Sequence, residues 1–254
     1  MNRGGAEQKH MRTANPILND NTFRGVGTLS GSDTMTINGT VLKTGVMLAL
    51  VVCGAVFTWN RAISGDPAMG WVMGGAIGGF IVAMITAFKK EWAPFTAPLY
   101  AGLEGLFLGG ISAMFERQFG GIVFNAVCLT FGTLFSLLFV YQMGWIKVTQ
   151  NFRLGLFAAT GGIAMVYLLS IVLSFFGITM PLIHSSGLLG IGFSLFVVVI
   201  AALNLVLDFD FIEQGAQSGA PKYLELYAAF GLLVTLVWLY IEILRLLAKL
   251  QSRD

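Results

Sequence analysis

Four acidic residues of this chain stand where acid is expensive. Glu104 lies in PLYAGLEGLFLGG, Asp208 and Asp210 in NLVLDFDFIEQG, and Glu242 in TLVWLYIEILRLLAKL. Each interrupts an apolar run. If those runs cross a bilayer, an Asp near the helix centre costs roughly 2.5–3.5 kcal/mol. A carboxylate kept at that cost is a candidate functional group. The chemistry open to it is narrow: it can ligate a hard cation, hold a proton, or pair with a base. Two carboxylates close together cannot both ionise cheaply, and such a pair titrates as a unit.

Local geometry constrains each candidate. Residues two apart on a helix point about 200° apart, so Asp208 and Asp210 cannot share one site on a regular helix. One should face the bundle and the other a polar loop or solvent. Glu104 is bracketed by Gly102 and Gly105, which would let another helix come close. Its plain alternative is a hydrogen bond to a neighbouring backbone group or hydroxyl. Thr235, Glu242 and Lys249 recur every seven residues and so share one helix face. Arg245, three residues after Glu242, can pair with it. The plain alternative there is an intrahelical ion pair near a membrane edge. His184 is the only histidine outside the first 39 residues, and it falls in an expected loop. No serine, aspartyl or HExxH metalloprotease pattern is present, so the expectation is a protein that is not an enzyme and needs no cofactor.

The elements that position these groups are read from hydropathy. Of 254 residues, 56% are hydrophobic and 11% charged, against about 25% charged in an ordinary soluble domain. Net charge is +2 without a basic cluster, which excludes a nucleic-acid partner. A spanning helix needs about 20 mostly apolar residues. Stretches of that length occupy 41–63, 68–88, 94–115, 121–144, 154–177, 186–212 (its uncharged part ends at 207) and 226–248. The expected fold is an all-α integral membrane protein, a seven-transmembrane-helix bundle over 40–250, whose partner is the lipid bilayer. Residues 1–39 are polar and aperiodic and read as a disordered tail without a signal-peptide core. Trp59, Trp71, Trp92 and Trp145 mark helix ends at the headgroup layer. Ten of the fifteen Lys and Arg fall on the N-terminal side of the membrane, which predicts a cytoplasmic N-terminus. Gly70, Gly74 and Gly78, flanked by Gly75 and Gly79, and then Gly105 and Gly109, are spaced for close helix approach. Cys53 and Cys128 lie in apolar runs and read as buried packing residues.

Three blocks of sequence carry a resemblance: RTANPILND at 12–20, APLYAGLEGLFLGGIS at 97–112, and LDFDFIEQG with PKYLELYAAFGLLVTLVWLYIEILRLL from 207 to 247. They resemble the Bax inhibitor-1 family of seven-helix membrane proteins, in particular a bacterial branch. The resemblance implies six helices around a central, polar last helix, and a pH-sensitive calcium or cation leak in a bacterial inner membrane. It also implies a pair of aspartates on the last two helices that closes the pore. Asp208, followed by Ile212, matches the first of them. The second falls on Thr235, so this chain departs from the pattern. Asp210, Glu242 or Glu104 would have to supply the second carboxylate, or the sensor is absent. A calcium site near Asp208 and Asp210 would follow from the same reading. The basic latch implied by the resemblance falls on Lys89 or Lys90, with Arg245 a further candidate. The alternative function is a non-conducting regulator that binds a membrane protease or another quality-control partner through the tail.

Overall fold

The computed structural model describes residues 34–177, 180, 183, 185 and 187–253; residues 1–33 and His184 lie outside the described residues. Among the described residues seven long α-helices follow in order: α1 (Ile37–Ser64), α2 (Met69–Phe88), α3 (Ala93–Gln118), α4 (Ile122–Gln142), α5 (Gln150–Phe175), α6 (Leu188–Gln217) and α7 (Leu224–Gln251). All seven are long and apolar enough to cross a membrane. The chain is therefore an all-α, seven-helix integral membrane bundle. The near face collects the start of α1 and α7 and the end of α6, and the far face collects the end of α1 and α7 and the start of α6.

Helix ends follow local chemistry that hydropathy does not register. α1 begins at Ile37, inside the stretch read as tail, because Thr36 caps it by accepting from the Gly39 N–H at 3.0 Å. It ends where Gly65 turns left-handed at φ 85. α5 begins four residues before its apolar run, with the Thr149 hydroxyl accepting from the Phe152 N–H at 3.2 Å. That cap draws Arg153 into the helix. α6 runs on to Gln217, past the last expected residue at 212.

α7 is the centre of the bundle. Of its most apolar window 61% is buried, against 17% for α5. α1, α3, α4 and α6 surround it. The outer helices turn Leu, Ile, Val and Phe outward, as lipid permits. Cys53 and Cys128 are exposed, not buried. An apolar run in a spanning helix faces lipid as readily as protein, so apolarity alone does not decide the side.

Glycines bring α1, α2 and α3 into backbone contact. A Cβ on Gly105 would stand 2.3 Å from the Val51 carbonyl oxygen, and one on Gly109 would stand 2.1 Å from that of Ala55. On α2 the row that meets α3 is Gly75 and Gly79; Gly70 and Gly74 face open space, and Gly78 makes only ordinary contact with Leu103. The interleaved glycines offered two rows, and spacing alone did not choose between them.

Candidate functional site

Three polar rungs cross the bundle between α5, α6 and α7. They leave one stripe of α5, from Arg153, Thr160 and Tyr167, which are seven residues apart and stack on one face. At the first rung the Arg153 guanidinium meets Asp210 on α6 at 2.5 Å, and Gln214 donates to the same carboxylate at 2.6 Å. At the second, the Asn204 amide donates to the Thr160 hydroxyl at 2.9 Å and to the Ile200 carbonyl at 2.8 Å. At the third, the Tyr167 hydroxyl donates to Glu242 on α7 at 2.9 Å, and Arg245 donates to both at 2.9 Å. Asn204 and Glu242 are almost fully buried. One oxygen of each, Asn204 Oδ1 and Glu242 Oε2, has no hydrogen-bond partner among the described residues, and neither has Arg153 Nε. In hydrocarbon such atoms are costly, and they mark places where a ligand or water would be welcome.

The α5 stripe also serves as a ruler. Arg153 and Tyr167 are fourteen residues apart, about 21 Å at a rise of about 1.5 Å per residue. Asp210 and Glu242 therefore lie in opposite halves of the membrane. Asp208, fully buried, is two residues from Asp210 on the far-face side, so roughly 18 Å of rise still separates it from Glu242. Glu242 does not stand in for the second carboxylate beside Asp208. Thr235, seven residues before Glu242, is level with the Asn204 rung and about 7.5 Å of rise from Asp208. Thr235 is buried, and its hydroxyl donates to the Gly231 carbonyl at 3.3 Å.

The other candidates sort by place. Asp210 is half-buried and is held by Arg153 and Gln214, while Asp208 faces the core. Among the described residues no three His, Cys, Asp or Glu side chains are grouped to hold a metal. Glu104 faces α2: its Oε2 would lie 3.3 Å from a Cβ on Gly79, and the Tyr100 hydroxyl one turn earlier is its hydrogen-bond partner. Lys89 lays its ammonium 4.4 Å from the Trp92 ring centre, and Lys90 stands beside Glu91 on the 3₁₀ turn Lys90–Trp92 at the near face. Lys249 is buried and donates to the Gly190 carbonyl at 3.0 Å and the Ser194 hydroxyl at 2.8 Å.

Two groups of consequence carried no legible signal. Arg153 sits in a polar break between apolar runs; Thr149 as a cap was the one sign that it belongs to a helix. Glu225, at the start of α7, is 1% exposed. It takes Lys43 at 2.5 Å and the Thr36 N–H and hydroxyl at 2.9 and 3.0 Å. The Met35 N–H meets the Ala220 carbonyl at 2.6 Å, and Thr34 bridges Pro221. Residues 34–36 thus form a strap across the near face. At the same end the Tyr141 hydroxyl donates to Glu213.

Asp210, Glu225 and Glu242 each face a base.

No curated protein and no solved structure matches the chain. The family model described as Bax inhibitor 1 like matches residues 15–252. With seven spanning helices, the last of them polar and central, the chain belongs to the Bax inhibitor 1 like family.

Proposed function

We propose that the bundle is a pH-sensitive leak pathway for cations, calcium among them, held shut by its three polar rungs. The observation that carries the reading is the stripe Arg153, Thr160 and Tyr167, which draws Asp210, Asn204 and Glu242 into line across an apolar bundle. Buried polar groups in spanning helices are costly, and an ion pair, an amide and a Tyr–Glu bond in series between α5 and its neighbours are candidates for more than packing. α5 is the least buried of the seven, so it is the element whose displacement would open the line. Neutralising Asp210 removes the charge that holds Arg153 of α5, and neutralising Glu242 weakens its bond to Tyr167 of α5. Flux should therefore rise as pH falls. A permeating cation would also meet Arg245 and Lys249 toward the far face, so the third rung has to part for passage. The reading gives the chain no catalytic role. It takes the near face as cytoplasmic and the membrane as a bacterial inner membrane, on the Lys and Arg distribution and the sequence resemblance.

The test is calcium entry into liposomes from pH 5 to pH 8. Asp210→Asn should conduct at neutral pH about as the native chain does in acid, and Glu242→Gln should shift the profile the same way. Asp208→Asn should alter the pH dependence. A native chain no leakier than empty liposomes at any pH would sink the leak reading. Unchanged profiles in all three variants would sink the assigned groups.

A second reading, a regulator that engages a membrane protease or similar partner, is favoured by the strap. Glu225 fixes residues 34–36 on the near face, directly after the segment 1–33 in sequence. Removing 1–33 should abolish partner capture and leave flux intact.

A further inference from the structure

At the far end of α7 a cavity of about 290 Å³ is lined by Gln118, Arg245, Lys249 and Ser252, with Phe115 and Phe119 among its apolar walls. No acidic side chain of the described residues lines it. Lys249 is 7% exposed, and its two hydrogen bonds go to a neutral carbonyl and a neutral hydroxyl. It has no carboxylate within ion-pair distance among the described residues. A buried ammonium without a counter-charge is costly. Arg245 makes its bonds to Glu242 and Tyr167 through Nη1 alone, and its side chain is 35% exposed. One edge of its planar fork therefore remains for an anion. The depth fits as well. α7 has 28 residues, about 42 Å of rise, which matches a bilayer with its headgroup layers. Arg245 and Lys249 lie six and two residues before Gln251, about 9 and 3 Å from the helix end. That is the level at which lipid phosphates are concentrated.

We propose that this cavity is a phosphate-binding site in which Lys249 and the open edge of Arg245 hold the anion. Gln118 donates from the rim, and the two phenylalanines flank the lipid chain when the phosphate belongs to a headgroup. The site does not rest on the leak reading. Basic pockets between spanning helices bind acidic headgroups in this manner. Because Arg245 also holds Glu242, occupancy would bear on the third rung.

The test uses the full chain, delipidated in neutral detergent without phosphate, and reads thermal unfolding. Phosphatidic acid, phosphatidylcholine of the same chains, and inorganic phosphate are titrated separately. Phosphatidic acid at a hundredfold excess over its Kd should raise Tm by about 5–10 °C. A comparable shift with inorganic phosphate assigns the site to the anion alone, and a shift confined to phosphatidic acid assigns it to the headgroup with its chain. Lys249→Gln should abolish the shift and Lys249→Arg should keep most of it. Gln118→Glu is the variant that leaves folding untouched, since Gln118 is exposed; it should weaken binding at least tenfold. An equal shift with phosphatidylcholine, or an undiminished response in Gln118→Glu and Lys249→Gln, would overturn the proposal.

Discussion

Glu225→Ala tests the near-face strap most directly. The carboxylate accepts from Lys43, the Thr36 N–H and the Thr36 hydroxyl, and it is 1% exposed. A hydrogen bond to a charged group contributes about 1.5–3 kcal/mol, and removing one partner of a buried pair costs about 3–5 kcal/mol. These overlap, and Lys43, with 28% of its side chain exposed, regains some water. The expected loss is about 3–4 kcal/mol. For a chain of this size a kcal/mol moves Tm by about 2–4 °C, so Tm should fall by about 6–16 °C in detergent. Glu225→Gln keeps an oxygen for Thr36 and loses only the charge, so it should lose about 1–2 kcal/mol. Hydrogen exchange gives the local reading: the Met35 and Thr36 amides, bonded to Ala220 and Glu225, should lose protection before any helix does. A double-mutant cycle with Lys43→Met should show coupling above about 1 kcal/mol. Glu225→Ala within 2 °C of native, or amides at 35 and 36 as protected as before, would refute the strap as a stabilising element.

Three further outcomes follow, two from packing and one from the missing aspartate. Gly105→Val drives a side chain into the Val51 carbonyl, where even a Cβ would stand 2.3 Å away; it should prevent a stable fold, read as loss of a monodisperse chromatographic peak. Gly74→Ala meets open space and should be neutral or raise stability by about 0.5–1 kcal/mol through helix propensity. Thr235→Asp puts a second carboxylate within about one and a half helical turns of Asp208 in height. Burial and the Asp208 charge disfavour its ionised form in the fold. The variant should match the native chain at low pH and lose stability as pH rises. A Tm difference that does not depend on pH between 5 and 9 would show that the two positions do not interact.

The seven spans were legible because lipid imposes a length, and runs of about 20 apolar residues are hard to read otherwise. Their ends were less so. Thr36 and Thr149 extend α1 and α5 by capping, a local hydrogen bond that hydropathy averages away. The Glu242–Arg245 pair was legible because three residues on a helix fix the geometry. Glu225 was not: its partners lie 182 and 189 residues earlier, and only packing brings them together. The face of α2 that meets α3 was illegible for a related reason, since both glycine rows satisfied the spacing rule and the choice rests on α3.

The sequence presents Asp210 and Glu242 as acids stranded in apolar helices, and a stranded acid invites a cation. The fold pairs each with an arginine, on Arg153 and Arg245. This moves the energetic question from binding to breaking. A buried pair is costly to assemble and also costly to separate, because parting it leaves two buried charges. Such a pair stabilises one arrangement of helices over its alternatives and responds steeply to any proton or anion that replaces a partner. Asp208 belongs to neither pair: it faces the core, within about one and a half helical turns of Thr235 and Asn204 in height. The Arg153–Asp210 pair and the Tyr167 bond to Glu242 set how firmly α5 is held, while Asp208, about 200° around α6 from Asp210, points away from α5 into the core.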